Sequence, residues 1–161
     1  FGVAGMTLVV VHDQLLNACA PGLMPLQCYR TTAGHDSLYS TPPLMCMDVM
    51  WHMLNWMKAQ GGVAVLSQRQ EARATELYGL LDQSPLYRVS VPPEFRSTQN
   101  ICFELTAGDH SAFLQSADEC GLYGLKGHSA VGGIRINLYH GIDDAAFDRL
   151  MDFLRCYGRD I

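Results

Sequence analysis

The stretch Gly124-Leu125-Lys126-Gly127-His128-Ser129-Ala130-Val131-Gly132-Gly133-Ile134-Arg135 decides how this chain is read. It holds four glycines, a lysine, a histidine and an arginine in twelve positions, between two apolar runs. Glycine allows positive φ and lets a backbone approach a ligand closely. A planar guanidinium such as that of Arg135 is the side chain best suited to a two-point grip on a carboxylate. The combination predicts an anion-binding corner for a small acidic molecule. The competing reading is a Gly-rich strand connection with a solvent-facing arginine. The flanking runs, 122–126 and 133–139, read as strands. If Ile134, Ile136 and Leu138 face a core, then Arg135, Asn137 and Tyr139 face the other side. That side is solvent or a ligand cleft, and the alternation does not choose between them.

Working outward, 87–90 and 100–105 read as strands around a Pro-Pro-containing loop. Asp109 can cap a helix carrying Phe113, Leu114, Ala117 and Cys120, which ends at Gly121. Asp143 can cap a last helix with the stripe Phe147, Leu150, Met151, Leu154 and Tyr157. These elements form a compact α+β unit. Upstream, the spacing predicts a long helix over 62–83, with Val63, Leu66, Ala74, Leu77 and Leu81 on one stripe. Arg69, Glu71, Arg73 and Glu76 then read as its solvated faces. A helix over 44–59 carries Met45, Met47, Met50, Trp51, Met53, Trp56 and Met57 around most of its circumference. That pattern fits burial in a core or against a second subunit. Residues 6–11 read as a buried strand, 13–19 as a short helical turn, and 20–43 as irregular chain.

Composition narrows the function classes. The chain has 161 residues, 48% hydrophobic and 17% charged, which describes a globular protein rather than a disordered one. A net charge of -5 argues against a nucleic-acid partner. No apolar run approaches the ~18 residues of a membrane span, so no membrane partner is expected. Six cysteines, at 19, 28, 46, 102, 120 and 156, show no Cys-x-x-Cys spacing. They read as reduced cysteines, several of them buried, in a cytoplasmic protein, with no metal site. The opening Phe1-Gly2-Val3-Ala4-Gly5 lacks an initiator Met and reads as the middle of a longer protein.

Several ordered stretches resemble phosphoserine aminotransferases, which use pyridoxal phosphate. Residues 126–135 resemble that family's Lys-Gly-His-Arg-x-Val-Gly-Gly-x-Arg. Gly2-Val3-Ala4-Gly5-Met6-Thr7-Leu8-Val9-Val10-Val11 resembles its Gly-Pro-Ala-Gly-x-Thr-x-Val-x-Val. Ser37-Leu38-Tyr39-Ser40-Thr41-Pro42-Pro43 is similar to Ser-Met-Tyr-Asn-Thr-Pro-Pro, and 56–63 to Trp-Leu-Lys-x-x-Gly-Gly-Val. Glu76-Leu77-Tyr78-Gly79 and Arg96-Ser97 also correspond. The resemblance covers essentially the whole chain. It implies an α/β fold, the C-terminal part of the aspartate-aminotransferase-like (type I) transferase fold with its small α+β domain. Residues 1–60 would end the large cofactor-binding domain, 61–84 form a connecting helix, and 85–161 make the small domain.

What the resemblance implies about chemistry is specific. The full enzyme would be a homodimer exchanging an amino group between phosphoserine and 2-oxoglutarate in serine biosynthesis. Some members act in vitamin B6 biosynthesis. The Schiff-base lysine is expected about two residues upstream of Phe1, and neither Lys58 nor Lys126 matches it. Ser40 and Thr41 match the pair that reaches the cofactor phosphate of the other subunit. Arg135 matches the arginine on the substrate α-carboxylate, and His128 the histidine near its phosphate. Ser129 stands where the family pattern has an arginine that helps to hold the phosphate. His140 likewise departs from an asparagine. Two alternatives therefore stay open: a non-catalytic binding or dimerisation fragment, and an aminotransferase with a different acidic amino donor.

Overall fold

The computed structural model describes residues 2–157. It divides into two units, Phe1–Gly62 and Val63–Ile161.

In the first unit, α1 (Asp13–Asn17) starts where the His12 ring Nδ1 accepts the Gln14 N–H at 3.2 Å. A second short helix, α2 (Tyr29–Ala33), follows, and α3 (Leu44–Ala59) begins directly after Pro42-Pro43. Pro43 ends the irregular chain because its fixed φ suits a helix start and it has no N–H to satisfy. Three expectations fail in this unit. Residues 6–11 form no strand, because among the described residues no other strand lies beside them to complete a ladder, and Leu8 and Val10 stay exposed. Helix α3 has no buried residue, and Met45 and Trp51 are exposed on it, so the core half of its reading fails while a face against a second subunit stays open. Cys19 and Cys28 are not free thiols: their Cα atoms lie 6.4 Å apart and the sulfurs are joined as a disulfide. The irregular chain between them turns back on itself, which sequence spacing alone does not announce. Of the four free cysteines, Cys102, Cys120 and Cys156 are exposed rather than buried.

The second unit contains α4 (Gly62–Gln83), β1 (Tyr87–Arg88), β2 (Asn100–Leu105), α5 (His110–Glu119), β3 (Lys126–His128), β4 (Gly132–Asn137) and α6 (Asp144–Cys156). The strands form one sheet in the order β1-β2-β4-β3, with every neighbouring pair antiparallel. Ile101 pairs with Ile136 and Phe103 with Ile134, so four apolar side chains share one face. Leu77 and Leu81 of α4, Phe113 and Ala117 of α5, and Phe147, Met151 and Leu154 of α6 join them in a single core. Phe113 sits at its centre, edge-on to Phe103, Tyr87, Phe153 and Tyr157. Burying such a ring contributes about 2–3 kcal/mol. The Tyr87 hydroxyl donates to the Leu154 carbonyl at 2.9 Å, and burial pushes the phenol's pKa well up.

Helix starts follow the predicted caps. Asp109 Oδ1 accepts the Ser111 N–H at 2.9 Å, and Asp143 Oδ1 accepts the Ala146 N–H at 2.7 Å. Strand limits follow less well. Of the predicted 122–126 strand only Lys126 falls within β3, β1 stops at Arg88, and β4 stops at Asn137. The long connection from β1 to β2 is pinned to α4 instead. Arg96 makes two hydrogen bonds to Asp82, at 2.6 and 2.9 Å, and lies 4.7 Å over the Tyr78 ring. Tyr78 in turn donates to the Ser97 carbonyl at 2.9 Å, and its pKa is raised mainly by burial.

Helix α4 corrects the predicted faces. Val63 is exposed, while Gln70 and Arg73 are buried. Arg73 hydrogen-bonds the Ile142 carbonyl at 2.7 Å and Asp144 Oδ1 at 2.5 Å, and lies 5.3 Å over the Phe147 ring. Its aliphatic stem fills space beside the core while its head ties α4 to the start of α6. Replacing it, as in Arg73→Met, removes both bonds and should cost about 2 kcal/mol of stability. A lower urea midpoint at unchanged slope is the expected result, and an unchanged midpoint would show the contact to be idle.

Candidate functional site

The β3–β4 hairpin carries two of the four residues singled out by sequence. Close backbone approach excludes side chains at two points, one between β3 and β4 and one between β4 and β2. A Cβ on Gly127 would lie 1.9 Å from the Gly132 carbonyl oxygen, and one on Gly133 would lie 2.9 Å from the Phe103 carbonyl oxygen. Gly133 also holds φ at +70°, the left-handed region that glycine adopts without strain. Gly127 thus lets β3 close on β4, and Gly133 lets β4 close on β2.

His128 stands at the end of β3. Its Nδ1 accepts the Ala130 N–H at 3.2 Å, and its carbonyl accepts the Val131 N–H at 3.0 Å. With Nδ1 used as an acceptor, the ring proton of the neutral imidazole sits on Nε2. The exposed imidazole thus presents an N–H donor outward.

Arg135 lies in mid-strand on β4. Its neighbours Ile134 and Ile136 are buried at 1% and 2% exposure, so Arg135 emerges on the opposite face of the sheet. Its backbone N–H donates to the Leu125 carbonyl at 2.8 Å. Cys102 is its direct partner across β2, and Glu104 shares the same face. Glu104 is already engaged by Arg88, whose hydrogen bond holds the carboxyl below the usual carboxylate range. Among the described residues Arg135 makes no ion pair, and its buried Nε has no hydrogen-bond partner. A buried guanidinium nitrogen left unbonded is costly.

Ser40 and Thr41 belong to the other unit and are exposed. They stand just before Pro42-Pro43, and their two hydroxyls can each donate to a phosphate oxygen. Two consecutive residues upstream, Asp36 and Ser37, hold φ at 51° and 64°. This left-handed pair redirects the chain between α2 and α3. Lys58 lies in the last turn of α3 and Lys126 at the start of β3, both exposed. Sequence reading did not single out Cys102 or Glu104 beside Arg135. Alternation along β2 shows which face they occupy, but only the 102–135 register places them next to the guanidinium. Among the described residues no cluster of His, Cys, Asp and Glu could hold a metal ion. None of their helices is long and apolar enough to cross a membrane.

No family model matches the chain. Curated relatives do. The chain is 40% identical over 159 residues to a phosphoserine aminotransferase of Legionella pneumophila strain Corby, covering 98% of this chain and 44% of the relative. It is 39% identical over 157 residues to one from Lactiplantibacillus plantarum, covering 97% and 44%. Among solved structures, a phosphoserine aminotransferase from Bacillus circulans subsp. alkalophilus superposes with a TM-score of 0.84 at 30% identity. That match covers 90% of this chain and 41% of the other. A pyridoxal-phosphate-bound phosphoserine aminotransferase from Trichomonas vaginalis gives 0.76 at 26% identity, covering 84% and 39%. The chain thus spans 44% of the length of these curated relatives.

The hairpin geometry makes a direct prediction. In Gly127→Ala the new methyl meets backbone rather than a movable side chain, so the strands must part, at a cost of about 3 kcal/mol. A thermal midpoint well below that of the unaltered protein is expected. An unchanged midpoint would contradict the close approach.

Proposed function

We propose that the protein carrying this chain, whose sequence and fold match the C-terminal portion of phosphoserine aminotransferases, is itself a phosphoserine:2-oxoglutarate aminotransferase. The observation that carries this reading is the match along 98% of the chain to relatives of that name. Pyridoxal phosphate is the proposed cofactor, serine biosynthesis in the cytoplasm the proposed setting, and a homodimer the proposed assembly. The same chemistry serves vitamin B6 biosynthesis where phosphohydroxythreonine is the amino donor.

The residues present fit such ligands. Arg135 lies half-buried on the sheet face opposite the core, without an ion-pair partner among the described residues, and Arg88 already engages the nearby Glu104. His128 offers an Nε2–H donor from the same hairpin. Phosphoserine and 2-oxoglutarate share one α-carboxylate and differ at the distal end, phosphate in one and carboxylate in the other. Arg135 would grip the shared α-carboxylate in two-point fashion, fixing the reacting carbon at one place for both substrates. His128 would donate to whichever distal anion is present. Ser40 and Thr41 would donate to the phosphate of pyridoxal phosphate bound in the partner subunit. That cofactor, when bound, supplies the electron sink that lets an amino group pass from one acid to another.

A second reading is favoured by Ser129. A serine there can give one hydrogen bond but no positive charge, so the distal anion rests on a weaker grip than an arginine would supply. On this reading the enzyme prefers another acidic amino donor. Two measurements on the protein from its complete reading frame separate the readings. Amino transfer to 2-oxoglutarate should be much faster from phosphoserine than from serine or other acidic amino acids. A Ser129→Arg variant should then raise kcat/KM for phosphoserine by about tenfold or more. Preference for an unphosphorylated donor would favour the second reading, and no amino transfer from any acidic donor would overturn both.

A further inference from the structure

We propose that Cys19 and Cys28 are a reversible thiol–disulfide couple that fixes the base of the segment leading to Ser40 and Thr41 when oxidised and frees it when reduced. The two cysteines lie nine positions apart with Cα atoms 6.4 Å apart, inside the span a disulfide bridges. Each is partly exposed, so a small thiol reagent can reach the pair. The chain between them, 20–27, is exposed, with Leu23, Met24 and Leu26 open to solvent.

What the bond fixes follows from the hydrogen bonds on its far side. The Cys28 carbonyl accepts the N–H groups of Thr31 and Thr32 and so starts α2. From there bonds run without a break: Gly34 to Arg30, His35 and Ser37 to Thr32, Leu38 to His35. The His35 ring then meets the Tyr39 ring edge-on at 5.0 Å. Residues 28–39 are therefore one tied piece, ending directly before Ser40. Its base is held to the end of α1 in two ways: the Cys19–Cys28 bond, and Arg30 donating to the carbonyls of Leu16 and Asn17. Those hydrogen bonds are exposed, and water competes for them. Once the covalent link opens, the base rests on them alone. In a reducing compartment a protein disulfide is usually transient and redox-sensing rather than structural.

The chemistry balances with glutathione as the partner couple. For oxidation, one cysteine thiolate attacks a sulfur of glutathione disulfide, forming a mixed disulfide and releasing one glutathione thiolate. The second cysteine thiolate attacks the mixed disulfide, forming the Cys19–Cys28 bond and releasing the second glutathione. Two cysteine protons are lost to the two glutathione thiolates, and two electrons pass to glutathione disulfide. Reduction by a dithiol runs the same exchange in reverse and leaves the dithiol oxidised.

The test equilibrates the protein in glutathione buffers from reducing to oxidising, then alkylates it with iodoacetamide and digests it briefly with chymotrypsin. In oxidising buffer Cys19 and Cys28 should escape alkylation and appear as one linked peptide pair, while Cys102 is labelled. Cleavage after Leu23, Met24 or Leu26 should quicken at least about tenfold on reduction. Amide exchange over 31–38 should quicken with it. Cys28→Ser should show the fast cleavage in both buffers, and Cys102→Ser should keep the redox response. Equal alkylation of Cys19, Cys28 and Cys102 in oxidising buffer would overturn the couple. A linked pair with unchanged cleavage and exchange would overturn the lock. The wild-type comparison stands even if Cys28→Ser fails to fold, and the couple does not depend on what Ser40 and Thr41 bind.

Discussion

Ile134 and Ile136 enter the core, and the pleat of β4 then forbids Arg135 from following them. The candidate site depends on that single constraint. Phe103 and Ile101 on β2 lock the register by packing against the same two isoleucines. Slipping the pairing by one residue would bury a guanidinium and expose the isoleucines, an exchange costing several kcal/mol. The core thus aims the arginine. Helices α4, α5 and α6 contribute to the same end from behind, since they fill the only face the isoleucines can use.

Ligand geometry is set by backbone as much as by side chains. The hairpin closes because Gly127 leaves room for the Gly132 carbonyl, and Gly133 lets β4 lie against β2 at Phe103. Closure carries His128 to the strand end, where the Ala130 N–H fixes its tautomer. Charge bookkeeping on the open face matters as well. Glu104 could neutralise a nearby arginine, and Arg88 occupies it. Arg135 is left with an unbonded Nε.

Much of this was legible in sequence where a strong local signal exists. Pro42-Pro43 and Gly61-Gly62 bracket α3, and its observed limits, Leu44–Ala59, are those predicted. Asp109 and Asp143 announced α5 and α6 through side chains that compete for free N–H groups at a helix start. Isoleucine alternation gave the facing of Arg135. Signals that depend on distant partners were not legible. Arg73 reads as a surface charge because Asp144, which draws it inward, is 71 positions away. The apolar run at 6–11 and, in its core reading, the Met/Trp helix α3 read as buried because composition measures hydrophobicity, whereas burial needs a neighbouring surface. Cysteine spacing could not reveal that the chain between Cys19 and Cys28 turns back on itself.

The central proposal is that the Arg135 guanidinium holds the carboxylate of an acidic substrate. The most direct measurement follows the Arg135 Nε–H signal by heteronuclear NMR during titration with 2-oxoglutarate, assigned by its loss in Arg135→Lys. The account predicts a saturable shift of that signal, with slowed exchange against water. A signal unmoved at concentrations that saturate amino transfer would contradict it.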